Sequence, residues 1–353
     1  MKINQLKSFF KKKKIFITGN SGFVGSYLSI ALNIMGSYVV GYSLKKNFSG
    51  YLSNSSEYKK KIFTINDNIL NVSEYKKKII NFKPTILIHL ASQPIVKDSY
   101  LDAKKTYSTN IMGTVEILEI AKKIKSIKHI IIFTSDKVYE NLNGTLLNEN
   151  SKLGGIDPYS ASKSSQDIIS KSYKLSFFKK DKNLIILRAG NIIGGGDFNF
   201  SRLIPEFFLC INKNKKVIIR NANAVRPWQH ILDVTAVILI VISKFCKNVY
   251  SKPIIFNIGP NKGSNITVKS LIKILISNIQ TSKIIFSKKK KFNESKILNL
   301  SNKYIKKKIK WAPKLNIIRS VELTIKWYKN YFKNPQESFT FTVKQIKDYF
   351  NLF

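Results

Sequence analysis

Side chains that bind metals or form covalent cross-links are scarce in this sequence of 353 residues. It has two cysteines, Cys210 and Cys246, which lie far apart and show no metal-ligand spacing, and three histidines that stand singly. The small number of cysteines excludes a disulfide framework and favours two buried thiols in a reducing compartment. We therefore predict a protein without a metal site.

Long apolar runs are missing as well. The longest, 236-AVILIVI-242, is far shorter than the roughly 18 residues that a membrane-spanning helix requires. The N-terminus, 1-MKINQLKSFFKKKK-14, is basic and has no apolar segment of the kind found in signal peptides. These absences predict a soluble, cytoplasmic protein with no membrane partner.

Acidic residues are few, since 20 Asp and Glu stand against 61 Lys and Arg and the formal net charge is +41. A charge of this size usually suggests a nucleic-acid partner. Only five of the basic residues are Arg, however, and the Lys are spread over the whole chain beside many Ile and Asn, which indicates a codon bias toward AT. No stripe of Lys alternates with base-stacking aromatic residues. We therefore predict a solvated, Lys-rich surface and no nucleic-acid partner.

Short β-branched runs alternate with longer segments of helical period along the first half of the chain. The predicted strands are 15-IFIT-18, 38-YVVGY-42, 62-IFTI-65, 86-ILIHL-90, 130-IIIF-133 and 184-LIIL-187. The predicted helices are 23–35, 73–82, 103–125 and 159–178. This rhythm predicts an α/β fold, in which a doubly wound parallel sheet of the Rossmann type is covered by helices on both faces.

The rhythm changes after about residue 190, which divides the chain into four predicted parts. A basic N-terminal extension covers 1–14, and a dinucleotide-binding Rossmann domain covers 15–190. A smaller C-terminal α/β substrate lobe, interleaved with the first domain, covers 191–332 and ends in an amphipathic helix at about 317–332. The tail, 333–353, is predicted to be a loop and a short aromatic helix.

A glycine turn follows the first predicted strand. The segment 15-IFITGNSGFVGSYL-28 indicates a strand, a turn and a helix that begins near Phe23. Gly19, Gly22 and Gly25 permit positive φ and let the backbone approach a pyrophosphate, which the N-terminus of the helix also attracts. At the start of a βαβ unit, this turn predicts a dinucleotide cofactor.

The choice between NAD and NADP stays open at this point. The acidic residue that usually follows the second strand is absent from 42-YSLKK-46. Ser43 can bond a ribose hydroxyl, which suits NAD, whereas Lys45 or Lys46 can hold a 2′-phosphate, so NADP is not excluded.

Further cofactor contacts are expected after the third and fourth strands, because ligands of such sheets bind at the carboxyl ends of the strands. Asn68 and Ile69 follow the third strand and are placed to contact adenine. Leu90 and Ala91, in 90-LASQP-94, are expected to run beneath the cofactor.

Tyr159 and Lys163 lie four residues apart in 158-PYSASK-163, at the start of a predicted helix, so they share a face. The pKa of an isolated Tyr is near ~10, which makes it a poor base at neutral pH. A neighbouring ammonium and a positive nicotinamide would stabilise the phenolate and lower that pKa. The pair therefore predicts a catalytic base, Tyr159, assisted by Lys163, which also holds the nicotinamide ribose.

The chain resembles the extended short-chain dehydrogenases/reductases, the group of NAD-dependent nucleotide-sugar epimerases and dehydratases. The segments that carry the resemblance are 19-GNSGFVGSYLS-29, 89-HLASQPIVKDSY-100, 107-YSTNIMGT-114, 134-TSDKVYEN-141, 157-DPYSASK-163, 188-RAGNIIGGGD-197, 202-RLIPE-206 and 219-IRNANAVRPWQH-230. Within the group, 134-TSDK-137, 194-GGGD-197 and 224-AVRPWQH-230 most resemble the members that dehydrate CDP-glucose for deoxysugar biosynthesis. The alternative is another nucleotide-sugar dehydratase or a 4-epimerase.

The resemblance implies a reaction that starts when Tyr159 removes the C4 hydroxyl proton of the sugar and a hydride passes to NAD. The 4-keto group then acidifies the C5 proton, water leaves from C5 and C6, and the hydride returns to C6. Ser135 would polarise the C4 oxygen and Asp136 would protonate the departing hydroxyl. Lys137 lies where the dTDP-glucose and GDP-mannose dehydratases carry a Glu base for C5. Since a Lys is a base only when neutral, Lys137 either removes the C5 proton or orients Asp136.

Four of the five Arg fall between residues 188 and 226, in a chain that otherwise uses Lys for positive charge. Arg binds a pyrophosphate bidentately, and Lys does not reproduce that geometry. The substrate contacts that the resemblance implies are Asn191, Arg202, Leu203, Arg220, Arg226 and His230. Arg188 is either structural or functional, and a lone His such as His230 more often orients its neighbours than acts as a base.

The remaining expectations also come from the resemblance. Thr109 is a further expected cofactor contact, and members commonly form dimers through a helix bundle, which predicts a homodimer. The family usually has Asp where Asn68 stands, and 293-NESK-296 matches a sugar-contacting segment only loosely, so the nucleotide base stays open. A non-enzymatic redox sensor on the same scaffold would lack the pair of Tyr159 and Lys163, which this chain keeps.

Overall fold

Seven parallel strands form the central sheet of the computed structural model, which describes residues 3–46, 48, 50–140, 144–279, 284–287 and 295–352. The strands of the described residues are β1 (Lys14–Thr18), β2 (Tyr38–Ser43), β3 (Phe63–Asn66), β4 (Ile86–His89), β5 (His129–Ser135), β6 (Leu146–Leu147), β7 (Asn183–Ala189), β8 (Asn191–Ile193), β9 (Val217–Ile219), β10 (Val225–His230), β11 (Ile254–Ile258), β12 (Asn265–Thr267), β13 (Ile284–Phe286) and β14 (Asn299–Leu300). The large sheet has the order β11-β7-β5-β4-β1-β2-β3. The order reverses between β1 and β4, which confirms the doubly wound Rossmann-type fold.

The apolar runs of the central strands are continuous because both faces of the sheet are covered. Along β1, Ile15 and Ile17 join one buried cluster, and Phe16, between them, joins the cluster on the opposite face. The same alternation holds in β4, where Leu87 faces the second cluster. Successive side chains of a strand point to opposite faces, so burial on both sides requires an apolar residue at every position.

Fourteen α-helices surround the sheet in the described part of the chain. They are α1 (Ile3–Phe10), α2 (Phe23–Ile34), α3 (Ser56–Lys61), α4 (Lys76–Phe82), α5 (Val96–Leu101), α6 (Ala103–Tyr107), α7 (Gly113–Lys123), α8 (Pro158–Tyr173), α9 (Leu203–Asn212), α10 (Ile231–Phe245), α11 (Val268–Ile279), α12 (Lys303–Ile309), α13 (Ile317–Lys333) and α14 (Ser338–Phe350). Helices α2 and α10 cover one face of the sheet and α7 covers the other. Among the described residues, no helix combines the length and the apolar character that crossing a membrane requires.

Three of the predicted helices differ in detail from those observed. The segment predicted as a helix at 73–82 begins with a 3-10 turn, Ile69–Tyr75, and becomes α-helical at α4. The segment at 103–125 is interrupted by a π-helical turn, Ser108–Met112, between α6 and α7. Helix α8 also ends in a π-helical turn, Lys174–Phe178. Side-chain periodicity does not report such local changes of winding.

The N-terminal segment that was predicted as a basic extension contains α1, whose Leu6 and Phe10 are buried against the main core. The predicted tail contains a 3-10 turn, Pro335–Glu337, and α14. Helix α14 is held to α13 by a hydrogen bond from Trp327 Nε1 to Thr342 Oγ1 of 2.8 Å. Both ends of the chain therefore contribute to the packed core.

The segment after residue 190 forms smaller sheets beside the large one. Strands β8, β10 and β12 form a three-stranded sheet, and β9 pairs with β13. Strand β11, from the same half of the chain, completes the edge of the large sheet by pairing with β7. The two halves are thus interleaved, and the lobe boundary near residue 190 stays a prediction.

Candidate active site

A cavity of about 890 Å³ lies at the carboxyl ends of the parallel strands. Its wall includes residues at the ends of, or directly after, the strands β1 to β5 and β7, namely Gly19, Ser43, Asn68, Leu90, Ser135 and Ala189. It continues to Arg226 of β10. Ligands of doubly wound sheets bind at this edge, at the point where the strand order reverses.

The glycine turn forms one end of the cavity, and the backbone there leaves no room for side chains. Gly19 has φ of +75°, and a Cβ on it would lie 2.7 Å from the backbone nitrogen of Ala91. A Cβ on Gly25 would lie 2.1 Å from the carbonyl oxygen of Gly19. Gly22 is the N-cap of α2 and provides no side-chain cap. The first N–H groups of α2 are therefore suited to a phosphate, as a dinucleotide requires.

All the residues predicted to contact the cofactor line this cavity. They are Gly19, Gly22, Phe23, Gly25, Ser43, Asn68, Ile69, Leu90, Ala91, Thr109, Tyr159 and Lys163. Asn68 caps the 3-10 turn that follows β3, because its Oδ1 accepts from the Leu70 N–H at 3.1 Å. That bond uses one of the two lone pairs of the side-chain oxygen, so the oxygen can accept a second hydrogen bond, and the contact with adenine stays a prediction.

The two lysines proposed for a 2′-phosphate differ in position. Lys45 is exposed and does not line the cavity. Lys46 lines it, but the charges that act on its pKa are those of Asp197 and Arg202, on the other side of the cavity. The hydroxyl groups of Ser43 and Ser21 form a hydrogen bond, with 2.5 Å between their oxygens. These positions favour a ribose hydroxyl over a phosphate beside Ser43.

The end of β5 brings three predicted catalytic residues to the middle of the cavity. Ser135 Oγ donates to Asp136 Oδ1 at 2.9 Å and accepts from the Lys137 backbone N–H at 3.3 Å. Asp136 is 2 % exposed, and its Oδ2 has no hydrogen-bond partner among the described residues. A buried carboxyl oxygen without a partner is costly, which suggests that a ligand group bonds to it. The side chain of Lys137 lines the same cavity and is half-buried.

Helix α8 places Tyr159 and Lys163 opposite this segment. Its N-cap is Asp157, whose Oδ1 accepts from the Ser160 N–H at 2.9 Å, and Pro158 occupies the first turn. Tyr159 and Lys163 are one turn apart and are both buried in the cavity wall. Capping fixes where the helix begins and thereby the direction in which both side chains point.

Burial shifts the pKa of both Tyr159 and Lys163. Burial is the main cause that raises it, to about 12, and Asp136 and Asp157 also raise it. A hydrogen bond with Ser135 and the charge of Arg202 lower it. Burial also lowers the pKa of Lys163 to about 7. Burial thus has the largest effect on the pKa of both groups. The lowering of the Tyr159 pKa by Lys163 together with a nicotinamide stays a prediction.

The predicted substrate contacts lie on the other half of the cavity, with one exception. Asn191, Arg202, Leu203, Arg220 and Arg226 line it. The Asn191 Oδ1 is buried without a partner among the described residues. Arg202 pairs with Asp197 at 2.9 Å, and Arg226 donates to the carbonyl of Ser295 at 2.8 Å. Asn293 and Glu294 of the loosely matching segment lie outside the described residues.

His230 is the exception, because it does not line the cavity. It is fully buried and caps α10, where its Nδ1 accepts from the Leu232 N–H at 3.2 Å. Burial lowers the pKa of His230 to about 3, so it is neutral. We therefore correct its assignment from a substrate contact to a helix cap.

Arg188 is fully buried and forms a two-bond ion pair with Asp167 of α8, at 2.7 and 2.9 Å. This contact supports the structural alternative for Arg188. Among the described residues, no group of three His, Cys, Asp or Glu side chains could hold a metal ion. His89 lies in β4 and His129 lies in β5.

Two polar residues of the cavity, Glu206 and Asp197, were missed by the sequence analysis, and a third, Lys46, was considered only for a 2′-phosphate. Glu206 pairs with Arg220 at 3.1 Å, and Asp197 pairs with Arg202. Both acids lie in segments that were quoted for the resemblance, 202-RLIPE-206 and 194-GGGD-197, so their positions were available but their roles were not. Lys46 carried no sequence signal for the substrate half, because only the folding of the chain brings it near Asp197.

Comparison with known proteins agrees with this geometry. The family model described as GDP-mannose 4,6 dehydratase matches residues 16–324. The chain is 31% identical to the CDP-glucose 4,6-dehydratase of Salmonella typhimurium, over 97% of this chain and 98% of that protein. It is 24% identical to the human dTDP-D-glucose 4,6-dehydratase, over 91% of both chains. A crystal structure of the dTDP-glucose 4,6-dehydratase of Bacillus anthracis in complex with NAD matches with a TM-score of 0.77 and 23% identity, over 91% of this chain and 98% of that one.

Proposed function

Because the chain belongs to the GDP-mannose 4,6-dehydratase family, we propose that it is an NAD-dependent nucleotide-sugar 4,6-dehydratase whose substrate is CDP-glucose. The product would be CDP-4-keto-6-deoxyglucose, a precursor for deoxysugar biosynthesis. The observation that carries the proposal is one cavity that joins a glycine turn, a Ser–Asp–Lys segment, a Tyr–Lys pair and three Arg. The relative that matches at 31% identity over almost the whole of both chains carries the choice of CDP-glucose.

NAD bound along the glycine turn supplies the hydride acceptor and, later, the hydride donor. Gly19, Gly22 and the first turn of α2 would hold its pyrophosphate, and Lys163 its nicotinamide ribose. Tyr159 accepts the proton of the C4 hydroxyl as that carbon is oxidised. The charge of Arg202 favours the phenolate. The Ser135 hydroxyl has one hydrogen, which bonds Asp136 in the structure, and during the reaction this hydrogen would turn to the phenolate or to the C4 oxygen.

Elimination of water needs an acid at C6 and a base at C5. Asp136 is the acid, because its Oδ2 is buried in the cavity and free to give a proton to the departing C6 hydroxyl. Lys137 follows directly and lines the same wall. It serves either as the base that takes the C5 proton or as the cation that orients Asp136. A simple 4-epimerase requires neither residue at this point, so the pair supports dehydration.

The substrate half of the cavity supports a nucleoside diphosphate. Arg202, Arg220 and Arg226 offer forked donors to the phosphate oxygens, and Asn191 offers an amide. Glu206, on the first turn of α9, adds a buried carboxylate to this half. A carboxylate accepts hydrogen bonds from the exocyclic amine of cytosine, whereas uracil and thymine present a carbonyl oxygen at that position. Glu206 therefore supports a cytidine nucleotide over a uridine or thymidine nucleotide.

Turnover of CDP-glucose, dTDP-glucose, UDP-glucose and GDP-mannose under equal conditions tests the proposal. We expect kcat/KM to be largest for CDP-glucose, with formation of a 4-keto-6-deoxy product and no net consumption of NAD. Glu206→Leu should lower this preference without abolishing turnover. Equal or greater turnover of another sugar nucleotide would favour the alternative, a dehydratase of a different sugar nucleotide. Release of a C4 epimer without loss of water would favour a 4-epimerase.

We also propose a cytoplasmic homodimer. Apolar side chains on α6 to α8 and the π-helical turns beside them are exposed, among them Tyr107, Met112, Ile168 and Leu175. Packing α6 to α8 of two copies together would cover them, as in a helix bundle. Light scattering after gel filtration should give twice the chain mass of 40.4 kDa. A monomer across the micromolar range would contradict the dimer and leave the enzymatic proposal intact.

A further inference from the structure

The ammonium of Lys163 has one described hydrogen-bond partner in the protein, the side chain of Gln166. Lys163 Nζ donates to Gln166 Oε1 at 2.9 Å, and both side chains are buried. Gln166 lies one turn farther along α8 and does not line the cavity. Among the described residues, its direct hydrogen bond to a side chain of the cavity is the one to Lys163.

The orientation of the Gln166 amide follows from the bonds on its other side. Gln166 Nε2 lies 2.9 Å from Thr114 Oγ1 of α7. The Thr114 hydroxyl donates its hydrogen to the carbonyl oxygen of Asn110 at 2.6 Å. Since a hydroxyl has one hydrogen, Thr114 must accept from Gln166. The NH₂ group thus faces Thr114 and the oxygen faces Lys163.

His89 completes this chain of bonds. Its Nε2 lies 3.2 Å from Thr114 Oγ1, and its Nδ1 lies 2.7 Å from Thr18 Oγ1 at the end of β1. Because the hydrogen of Thr114 is already donated to Asn110, His89 Nε2 must carry a proton and Nδ1 must accept from Thr18. Burial lowers the pKa of His89 to about 3, which agrees with a neutral ring.

A flipped Gln166 amide would be opposed at both ends. Its NH₂ group would face the ammonium of Lys163, and its oxygen would face Thr114 Oγ1, whose only hydrogen bonds Asn110. Each end would then lose a hydrogen bond in a buried place, where an unsatisfied polar group is costly. The orientation is thus set by residues on β1, β4 and α7.

We propose that Gln166 is a positioning residue for Lys163, oriented by Thr114 and His89, and that it keeps Lys163 cationic over the pH range in which the cofactor's ribose is bound. The inference rests on the cofactor site of the proposed function and not on which sugar nucleotide is used. Thr18, Thr114 and Gln166 are neutral, so the chain adds no charge beside Lys163.

The titratable groups around Lys163 do not stabilise its ammonium, which is the role that we propose for Gln166. From β4, His89 is neutral, and on α8 itself Tyr159, whose pKa burial raises to about 12, is un-ionised until substrate and cofactor bind. Asp136 and Arg202 act on Tyr159, and no acid of the described residues acts on the pKa of Lys163, which burial lowers to about 7. Burial disfavours the charged form of Lys163. The Gln166 oxygen, which accepts the one described hydrogen bond of Lys163 Nζ, favours that charged form.

The dissociation constant of NAD, measured by calorimetry from pH 6 to 9, tests the proposal without any turnover. The wild-type affinity should fall as the pH rises and Lys163 loses its proton. In Gln166→Met, which has no acceptor, this fall should begin at a lower pH, with about tenfold weaker binding at pH 7.5. In Gln166→Glu, a carboxylate beside the ammonium should move the fall upward by about one pH unit or more. Thr114→Val should resemble Gln166→Met in direction.

A matched control separates positioning from a general loss of packing. Gln345 of α14 is also buried, donates to the carbonyl of Leu323 at 3.0 Å and does not line the cavity. Gln345→Met should lower the thermal unfolding temperature as Gln166→Met does, and leave the pH dependence of NAD binding unchanged. The same pH dependence in Gln166→Met, Gln166→Glu and the wild type would overturn the proposal.

The two proposals fail in different measurements. Failure of every sugar nucleotide to turn over, together with the expected pH shifts, would refute the proposed function and leave the role of Gln166 standing. Normal turnover of CDP-glucose, together with an unchanged pH dependence of NAD binding in both Gln166 variants, would refute the role of Gln166 and leave the proposed function standing.

Discussion

Removal of the buried ion pair between Arg188 and Asp167 should destabilise the protein unequally, depending on which partner is removed. Arg188 extends from β7 and is fully buried. Besides its two bonds to Asp167, it donates to Tyr139 Oη at 2.6 Å and to the carbonyl of Glu149 at 3.1 Å, and it stacks on the Tyr139 ring at 4.8 Å. The pair thereby joins the segment after β5 to α8, which carry the two sides of the catalytic cavity.

Asp167→Leu removes the carboxylate that pairs with the buried guanidinium of Arg188, which keeps an electrostatic interaction with Glu149. Breaking a buried pair in this way costs about 3–5 kcal/mol. Arg188→Met leaves a carboxylate that still has Lys171 at 2.8 Å, a lysine that is partly open to water. We therefore expect a cost of about 2–3 kcal/mol, less than for Asp167→Leu. The double variant should be less destabilised than Asp167→Leu alone, because an apolar pair carries no desolvation cost.

The measurement is the free energy of unfolding in urea, with kcat as a second readout. The control is Arg319→Met, which removes the exposed Arg319–Glu322 pair of 2.8 Å and should cost less than about 1 kcal/mol. A cost for Asp167→Leu below that of the control, or a double variant whose cost equals the sum of the single ones, would refute the reasoning. Loss of kcat in Arg188→Met with KM unchanged would support a role in holding the two catalytic segments together.

Three further predictions concern the active site and the buried Asp233 of α10. Tyr159→Phe should lower kcat about 10³-fold or more and leave NAD bound, since only the proton acceptor is lost, and full activity would remove Tyr159 from the mechanism. Lys137→Met should abolish exchange of the C5 hydrogen with solvent deuterium if Lys137 is the base, whereas retained exchange with slow elimination would indicate that it orients Asp136. Burial raises the pKa of Asp233 to about 6 from 3.8, so the folded state binds its proton more tightly than the unfolded state does and the stability it contributes is lost as the pH rises from about 4 through 6. In thermal unfolding, the difference between wild type and Asp233→Asn should therefore vary across this range, and a constant difference would contradict the shifted pKa.

Much of the fold could be predicted because its signals are local in the chain. The apolar runs at 15–18 and 130–133 lie within β1 and β5, and the glycine turn begins α2 at Phe23 as expected. The spacing of Tyr159 and Lys163 needs only the period of a helix. Residues that follow successive strands also meet predictably, since the strands are parallel and end at one edge.

The sequence analysis fell short where a property depends on contacts between distant segments. His230 was assigned to the substrate from the resemblance, yet in the structure it caps α10. The pKa of Tyr159 was expected to fall beside Lys163 and a nicotinamide, and the spacing of the residues gave no sign of the burial that shifts the pKa of both groups. Neither helix capping by a side chain nor the depth of burial can be read from the spacing of residues.

The sequence by itself determined which residues form strands, where the glycine turn lies and which phenol and amine share a helix face, because these depend on neighbours within a few positions. Only the tertiary structure decided that Arg188 meets Asp167, that Glu206 meets Arg220 and that Gln166 turns its oxygen toward Lys163. Such pairings join residues from different elements or depend on a partner on another helix. The energies of buried polar groups depend, in addition, on how completely water is excluded around them. Sequence patterns report what depends on near neighbours in the chain, and three-dimensional packing alone reports contacts between distant segments and the burial around them.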